Sequence, residues 1–177
     1  NAFAADGASD EGPGYWQYGL INFIPFAEML RIRTGGRVDL LGLPRLRTIA
    51  GYPARVVLSK GRVYSHADCM PRISLSPGVT ARLADRTGVE ELRGLIGRRI
   101  QITPKLPVLL RDLCWWDGTV GRQPPITDAL QEASGIWRLK AGPIVLAGKA
   151  GHNGESHNHN DVGSFCLHAG GQDLLAD

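Results

Sequence analysis

A chain of 177 residues, 43% hydrophobic and 21% charged, has the make-up of an ordinary globular protein, which excludes a disordered or fibrous polypeptide. Its formal charge of +3 comes from scattered arginines such as Arg31, Arg33, Arg37, Arg45, Arg47 and Arg55, so there is no Lys/Arg block of the kind that marks a nucleic-acid patch. Cys69, Cys114 and Cys166 are odd in number and far apart, which argues against a disulfide framework or a metal-type cysteine site.

No apolar run reaches the roughly 18 residues of a membrane span, and residues 1–20 show no basic segment followed by an apolar one. A soluble chain is expected, with cytoplasm and periplasm both open. Both ends read as internal to a longer protein. The chain starts in a polar, Gly-rich stretch without an initiator Met and stops in what reads as the middle of a strand.

In chain order, Asp6, Gly7, Ser9, Asp10, Gly12, Pro13 and Gly14 make a loop of turn formers. Residues 15–30 are apolar on nearly every face and predict a buried helix, kinked at Pro25 and ended by Gly35-Gly36. A second helix starts near Pro44 and runs through Leu46, Ile49 and Ala50. Ser76-Pro77 reads as an N-cap with Pro at the first helical position. Residues 89–96 read as a short helix with Glu90 and Glu91 in its first turn.

Up to about residue 100 the chain is expected to be helical, and beyond it short strands are expected at 136–140, 144–148, 162–168 and 172–177. Helices followed by strands predict an α+β arrangement, with a boundary near residue 104 separating 1–103 from 104–177.

The richest segment is Lys149-Ala-Gly-His-Asn-Gly-Glu-Ser-His-Asn-His-Asn-Asp-Val-Gly-Ser-Phe165, which holds three of the five histidines. If residues 156–161 are extended, His157, His159 and Asp161 project to one side. Such a face suits metal ligation, proton handling or neutralisation of a substrate carboxylate. Its competing reading is a polar strand entry whose Asn and Asp side chains only tie down their own backbone.

This segment, with Gly170-Gly171 and Leu174-Leu175-Ala176-Asp177, resembles the heparinase II/III-like polysaccharide lyases. So does Asp6-Gly-Ala-Ser-Asp-Glu-Gly-Pro-Gly-Tyr-Trp-Gln-Tyr-Gly19 near the start. The resemblance implies the last helices of an (α/α) toroid followed by the first strands of an antiparallel β-sandwich. It also implies β-elimination on a uronate-containing acidic polysaccharide in a bacterium. Donors neutralise the C5 carboxylate, the C5 proton is removed, and the C4–O bond breaks.

Carried over by position, Tyr15 is the catalytic tyrosine and His157 the imidazole facing substrate. Tyr18 is the fallback one turn along the helix, and Glu11 orients the loop. His152, Asn153, Glu155 and Asn158 line the cleft. His159 and Asp177 are ligands of a structural zinc, whose third ligand belongs to a later segment. The motif's upstream Asn or His has no candidate before Tyr15, so this piece alone is expected to be inactive.

Whether Asp177 faces His159 depends on the turn at Gly170-Gly171. A two-residue turn sets them on opposite sides, and a three-residue loop on the same side. His66 with Asp68 reads as surface structure after the second helix. Trp115, Trp116 and Trp137 fit either sugar stacking or packing. The competing functions are a non-catalytic carbohydrate-binding protein and a metal-dependent hydrolase built on His-x-His-x-Asp. No nucleic-acid or membrane partner is expected, and a homodimer is left open.

Overall fold

The computed structural model describes residues 3–100, 102–154 and 159–176. The chain is mixed helix and antiparallel sheet and packs as two compact units. One consists of residues 1–16, 52–73 and 125–177, the other of residues 17–51 and 74–124. No helix among the described residues is long and apolar enough to cross a membrane.

The helical unit holds most of α1 (Gly12–Arg33), all of α2 (Pro44–Ala50), α4 (Pro77–Thr87) and α5 (Leu106–Trp115), and a 3-10 turn at Glu90–Leu95. Helix α1 runs past both expected limits, with Pro13 in its first turn and Leu20, Ile24 and Ala27 buried. Pro25 lies inside it and has no N–H for the carbonyl of Ile21 four residues back. That carbonyl instead accepts from the Arg111 guanidinium of α5 at 3.2 Å.

Ser76 precedes α4 as expected, but its side chain makes no cap bond. Its hydroxyl donates to Asp112 Oδ1 at 2.5 Å, and the same oxygen accepts the Gly78 N–H at 2.8 Å. A carboxylate from α5 therefore caps α4 in place of Ser76, where the helix dipole favours negative charge. The two helices approach so closely at Gly78 that a Cβ there would lie 2.3 Å from the Arg111 carbonyl oxygen. Because a backbone atom cannot give way cheaply, Gly78→Ala should destabilise this unit by about 2 kcal/mol, as overpacked sites do. A urea melt read by tryptophan fluorescence checks this.

In the other unit, α3 (Tyr52–Arg55) leads into a hairpin of β1 (Val57–Ser59) and β2 (Arg62–Val63). This hairpin corrects the expectation of an all-helical first hundred residues, just as α5 places a helix beyond residue 104. The overlooked signal is Val56-Val57-Leu58 and Val63 around Lys60-Gly61, where Gly61 takes φ 71° in the turn.

The main sheet is an antiparallel meander of β3 (Ala129–Gln131), β4 (Ile136–Ala141), β5 (Ile144–Lys149), β6 (Phe165–Ala169) and β7 (Gln172–Leu175). Strand β3 was not anticipated. Its buried face carries Ile136, Arg138, Val145, Ala147, Lys149, Cys166 and His168. Burial pulls the Arg138 pKa down to about 10, and its N–H groups reach the carbonyls of Thr127, Ala54 and Val57 at 2.8, 3.1 and 2.6 Å. His168 and Asp173 pair across β6 and β7 with Nδ1 to Oδ1 at 2.6 Å, and Arg62 holds the other carboxylate oxygen at 2.7 Å.

On the opposite face the register lines up Leu139, Leu146, Leu167 and Leu175, one from each of four neighbouring strands. A second row joins Leu130, Trp137, Gly148 and Phe165. Leu130, Leu139, Phe165 and Leu175 are exposed.

Candidate functional site

The site is built in the sheet-bearing unit, where three chain segments meet. The first is the N-terminal loop. Asp6 accepts from Ala8 N–H through Oδ1 at 3.1 Å, and from the Ser134 N–H and hydroxyl through Oδ2 at 2.9 and 3.0 Å. Arg55 donates to the Asp6 carbonyl at 2.9 Å. The loop is thereby pinned to the β3–β4 turn, and Gly12 follows with φ 81°. A Cβ at Gly12 would sit 2.4 Å from Cys69 Cβ, so only glycine allows α1 to start against the loop after β2. Glu11 is half-buried just ahead of the helix, and Tyr15 is 46% exposed in its first turn.

The second segment is Tyr64-Ser65-His66-Ala67-Asp68, read from the sequence as surface structure. The structure corrects that. His66 is 3% exposed and stacks on Tyr64 with ring centroids 5.4 Å apart. Asp68 Oδ1 meets His159 Nε2 at 3.0 Å. Ala67 between them adopts φ 47°, a left-handed conformation that costs a non-glycine residue roughly 1–2 kcal/mol. Strain of this sort persists where surrounding contacts over-determine it. Here the twist presents the Ala67 N–H to Asp161 Oδ2 at 2.6 Å.

The third segment is the His/Asn-rich motif between β5 and β6. It is tied to the second at three points: Asp68 to His159, Ala67 to Asp161, and the Tyr64 hydroxyl to Ser164 Oγ at 2.7 Å. At its described end, residues 159–161, the segment is not a strand. Asn160 takes φ 60°, residues 162 and 163 form a turn, and β6 starts only at Phe165. His159 and Asp161 are therefore aimed by the neighbouring loop and not by strand alternation. The Gly163 N–H closes the turn on the Lys149 carbonyl at 2.9 Å.

Electrostatics set His66 apart. Burial first, and the nearby Lys149 cation second, push its pKa down to about 4, with Asp161 opposing. Neither ring nitrogen has a well-formed hydrogen bond, although backbone groups of Ser9 and Tyr64 lie close. An unfolded histidine takes up a proton below pH 6.5, whereas folded His66 resists until about pH 4. Stability should therefore fall as pH drops through that window and level off below it, by about 3 kcal/mol in all. Comparing urea melts of the native chain and His66→Leu between pH 7 and 4 isolates this contribution, and the variant should lose that part of the slope.

Of the other expected residues, His152 Nδ1 accepts the Gly154 N–H at 3.1 Å, and His152 and Asn153 are exposed. Tyr18 is 60% exposed beneath the Lys105 ammonium, whose Nζ is 5.3 Å from the ring centroid. Glu155, His157, Asn158 and Asp177 lie outside the described residues. The turn at Gly170-Gly171 has two residues, but a bulge between Asp173 and Leu175 shifts the register by one. The facing of Asp177 lies outside the described residues.

The tryptophans pack. Trp115 lies under Arg82 at 5.2 Å, the Trp116 indole donates to Thr119, and Trp137 covers Gly148. For zinc, the described residues supply His159 with a carboxylate neighbour, but no group of three His, Cys, Asp or Glu that would hold an ion. His159 is one of the two ligands expected from this chain, and the other, Asp177, lies outside the described residues. No family model matches the chain, and no curated protein matches it.

Proposed function

We propose that this chain is part of a polysaccharide lyase that cleaves a uronate-containing polymer by β-elimination. Tyr15 exchanges the proton, and His157 with the neighbouring asparagines neutralises the uronate carboxylate. The observation that carries the reading is that the motif's own neighbour, the loop 64–68, spends two contacts and a strained alanine on aiming His159 and Asp161, and a third contact on Ser164. A polar strand entry that served only its own backbone would need none of this. In addition, the Tyr15 loop and the His/Asn motif belong to the same compact unit although they are more than a hundred residues apart in sequence.

The chemistry follows from what each group offers. The C5 proton is weakly acidic, and hydrogen-bond donors beside the C5 carboxylate stabilise the enolate that forms when it leaves. The first turn of α1 adds N–H groups whose dipoles favour an anion near Tyr15. The phenolic oxygen takes the C5 proton as its own O–H proton passes to the departing sugar oxygen, so the tyrosine ends neutral as the C4–O bond breaks and the C4–C5 double bond forms. Zinc, if His159 and Asp177 hold it with a ligand from elsewhere in the protein, would brace the His/Asn-rich segment and take no part in the proton transfers.

The finer architecture belongs to the same proposal. The sheet's outer rows of leucine and aromatic side chains are what one inner face of a sandwich presents to its partner sheet, packed about 10 Å away. Helices α1, α2, α4 and α5 would then be the end of the toroid.

The test is to incubate the whole protein with alginate, heparan sulfate, hyaluronate and polygalacturonate and follow ultraviolet absorbance of the unsaturated product end. Absorbance growing on one of them is expected, and silence on all of them overturns the reading. Binding without product selects a carbohydrate-binding protein. Saturated products lost on chelation select a metal-dependent hydrolase.

A further inference from the structure

We propose that a cleft of about 220 Å³ in the helical unit, walled by α1, the start of α4 and α5, binds a single sugar-acid unit, with Lys105 taking its carboxylate and Asp112 Oδ2 its hydroxyl. The choice of a sugar acid rests on the lyase reading. The cleft itself does not depend on it.

Three observations carry the inference. Asp112 is 2% exposed, and both of its carboxylate hydrogen bonds, from Ser76 and Gly78, fall on Oδ1. Among the described residues Oδ2 has no protein donor, yet it is not one of the sealed, unpaired atoms, so it opens on the cleft that Asp112 lines. An acceptor held so rigidly, with its other oxygen already occupied, suits a ligand hydroxyl.

Lys105 caps the start of α5, two helical turns before Asp112 on the same wall, and has no carboxylate partner among the described residues. Its ammonium rests over the exposed Tyr18 ring, a weak contact that a ligand carboxylate can replace.

Gln17 is a wall and not a contact. Its amide is spent on the Ser74 carbonyl and the Ser76 N–H. The volume falls below the roughly 300–1,000 Å³ of sites for drug-sized ligands, which fits one ring and not an oligosaccharide. An acceptor and a cation two turns apart along one wall of such a space, roughly 10 Å of helix, select a compact hydroxy acid over a neutral sugar or a plain anion.

The experiment titrates this chain with D-glucuronate and with D-glucose by calorimetry or NMR. Saturable glucuronate binding is expected, with glucose weaker by roughly tenfold or more, and Lys105→Ala should weaken glucuronate by a similar factor. Lys105 is exposed, so that variant keeps the fold. Asp112→Asn retains an oxygen for the Ser76 hydroxyl and Gly78 N–H but turns a donor toward the cleft, and should also weaken binding. No saturable binding, equal affinity for the two sugars, or an unchanged Lys105→Ala overturns the proposal. If glucuronate binds as described while the whole protein cleaves no uronate polymer, the lyase reading falls and the cleft stands. If the protein cleaves but the titration is flat, the cleft alone falls.

Discussion

Tyr15→Phe should cut formation of unsaturated product by roughly 10²- to 10⁴-fold, the usual contribution of a positioned acid or base. The variant keeps the ring and removes only the hydroxyl, and the ring is already 46% exposed, so little packing is lost. A phenylalanine can neither accept the C5 proton nor return one to the leaving oxygen. Substrate binding should survive, because the carboxylate is held by other groups, and the loss should fall on kcat more than on KM. Initial rates on the polymer that the whole protein cleaves, with thermal melts of both forms, give the answer. Full activity in Tyr15→Phe would remove the tyrosine from the chemistry and leave Tyr18, one turn on, as the next phenol to replace.

Asp68→Asn is the second large effect, expected to reduce activity by roughly 10- to 100-fold, the range seen when the partner that orients a functional imidazole is altered. Its carboxylate lies 3.0 Å from His159 Nε2, and the adjacent Ala67 N–H is on Asp161. An asparagine has one oxygen and one amide nitrogen in place of two equivalent oxygens, so it fixes the ring less firmly and without charge. Because the Asp68 side chain is about a third exposed, the thermal midpoint should move little while the rate falls. Asp68→Glu, which restores the charge on a longer stem, should recover part of the loss. Activity unchanged in Asp68→Asn would make the contact incidental.

The sequence was most readable where local chemistry decides structure. The apolar run around Trp16, Leu20 and Ile24 announced α1, Pro44 opened α2, and the β-rich stretches from Ile136 onward announced β4 to β7 within a few residues. It was least readable where partners come from far along the chain. The cap of α4 looked like Ser76 because Asp112 is 36 residues away. The segment around Asp68 looked like surface because the partners of Ala67 and Asp68 stand nearly a hundred residues later. The available clue was alternation: Tyr64, His66 and Asp68 are spaced by two, as are His157, His159 and Asp161, and two such polar ladders invite pairing. The kink at Asn160 was hidden for the opposite reason. A left-handed residue in mid-segment is chosen by tertiary contact, and alternation rules assume that none occurs.

The carbonyl of Ile21, deprived of its own helix's donor by Pro25, depends on a guanidinium carried by α5. A proline in mid-helix would ordinarily be a point of independent fraying, but here its weakness has been lent to a neighbour. Local opening of the middle of α1 and release of α5 thus become a single cooperative event, and hydrogen exchange in the two helices should share one rhythm.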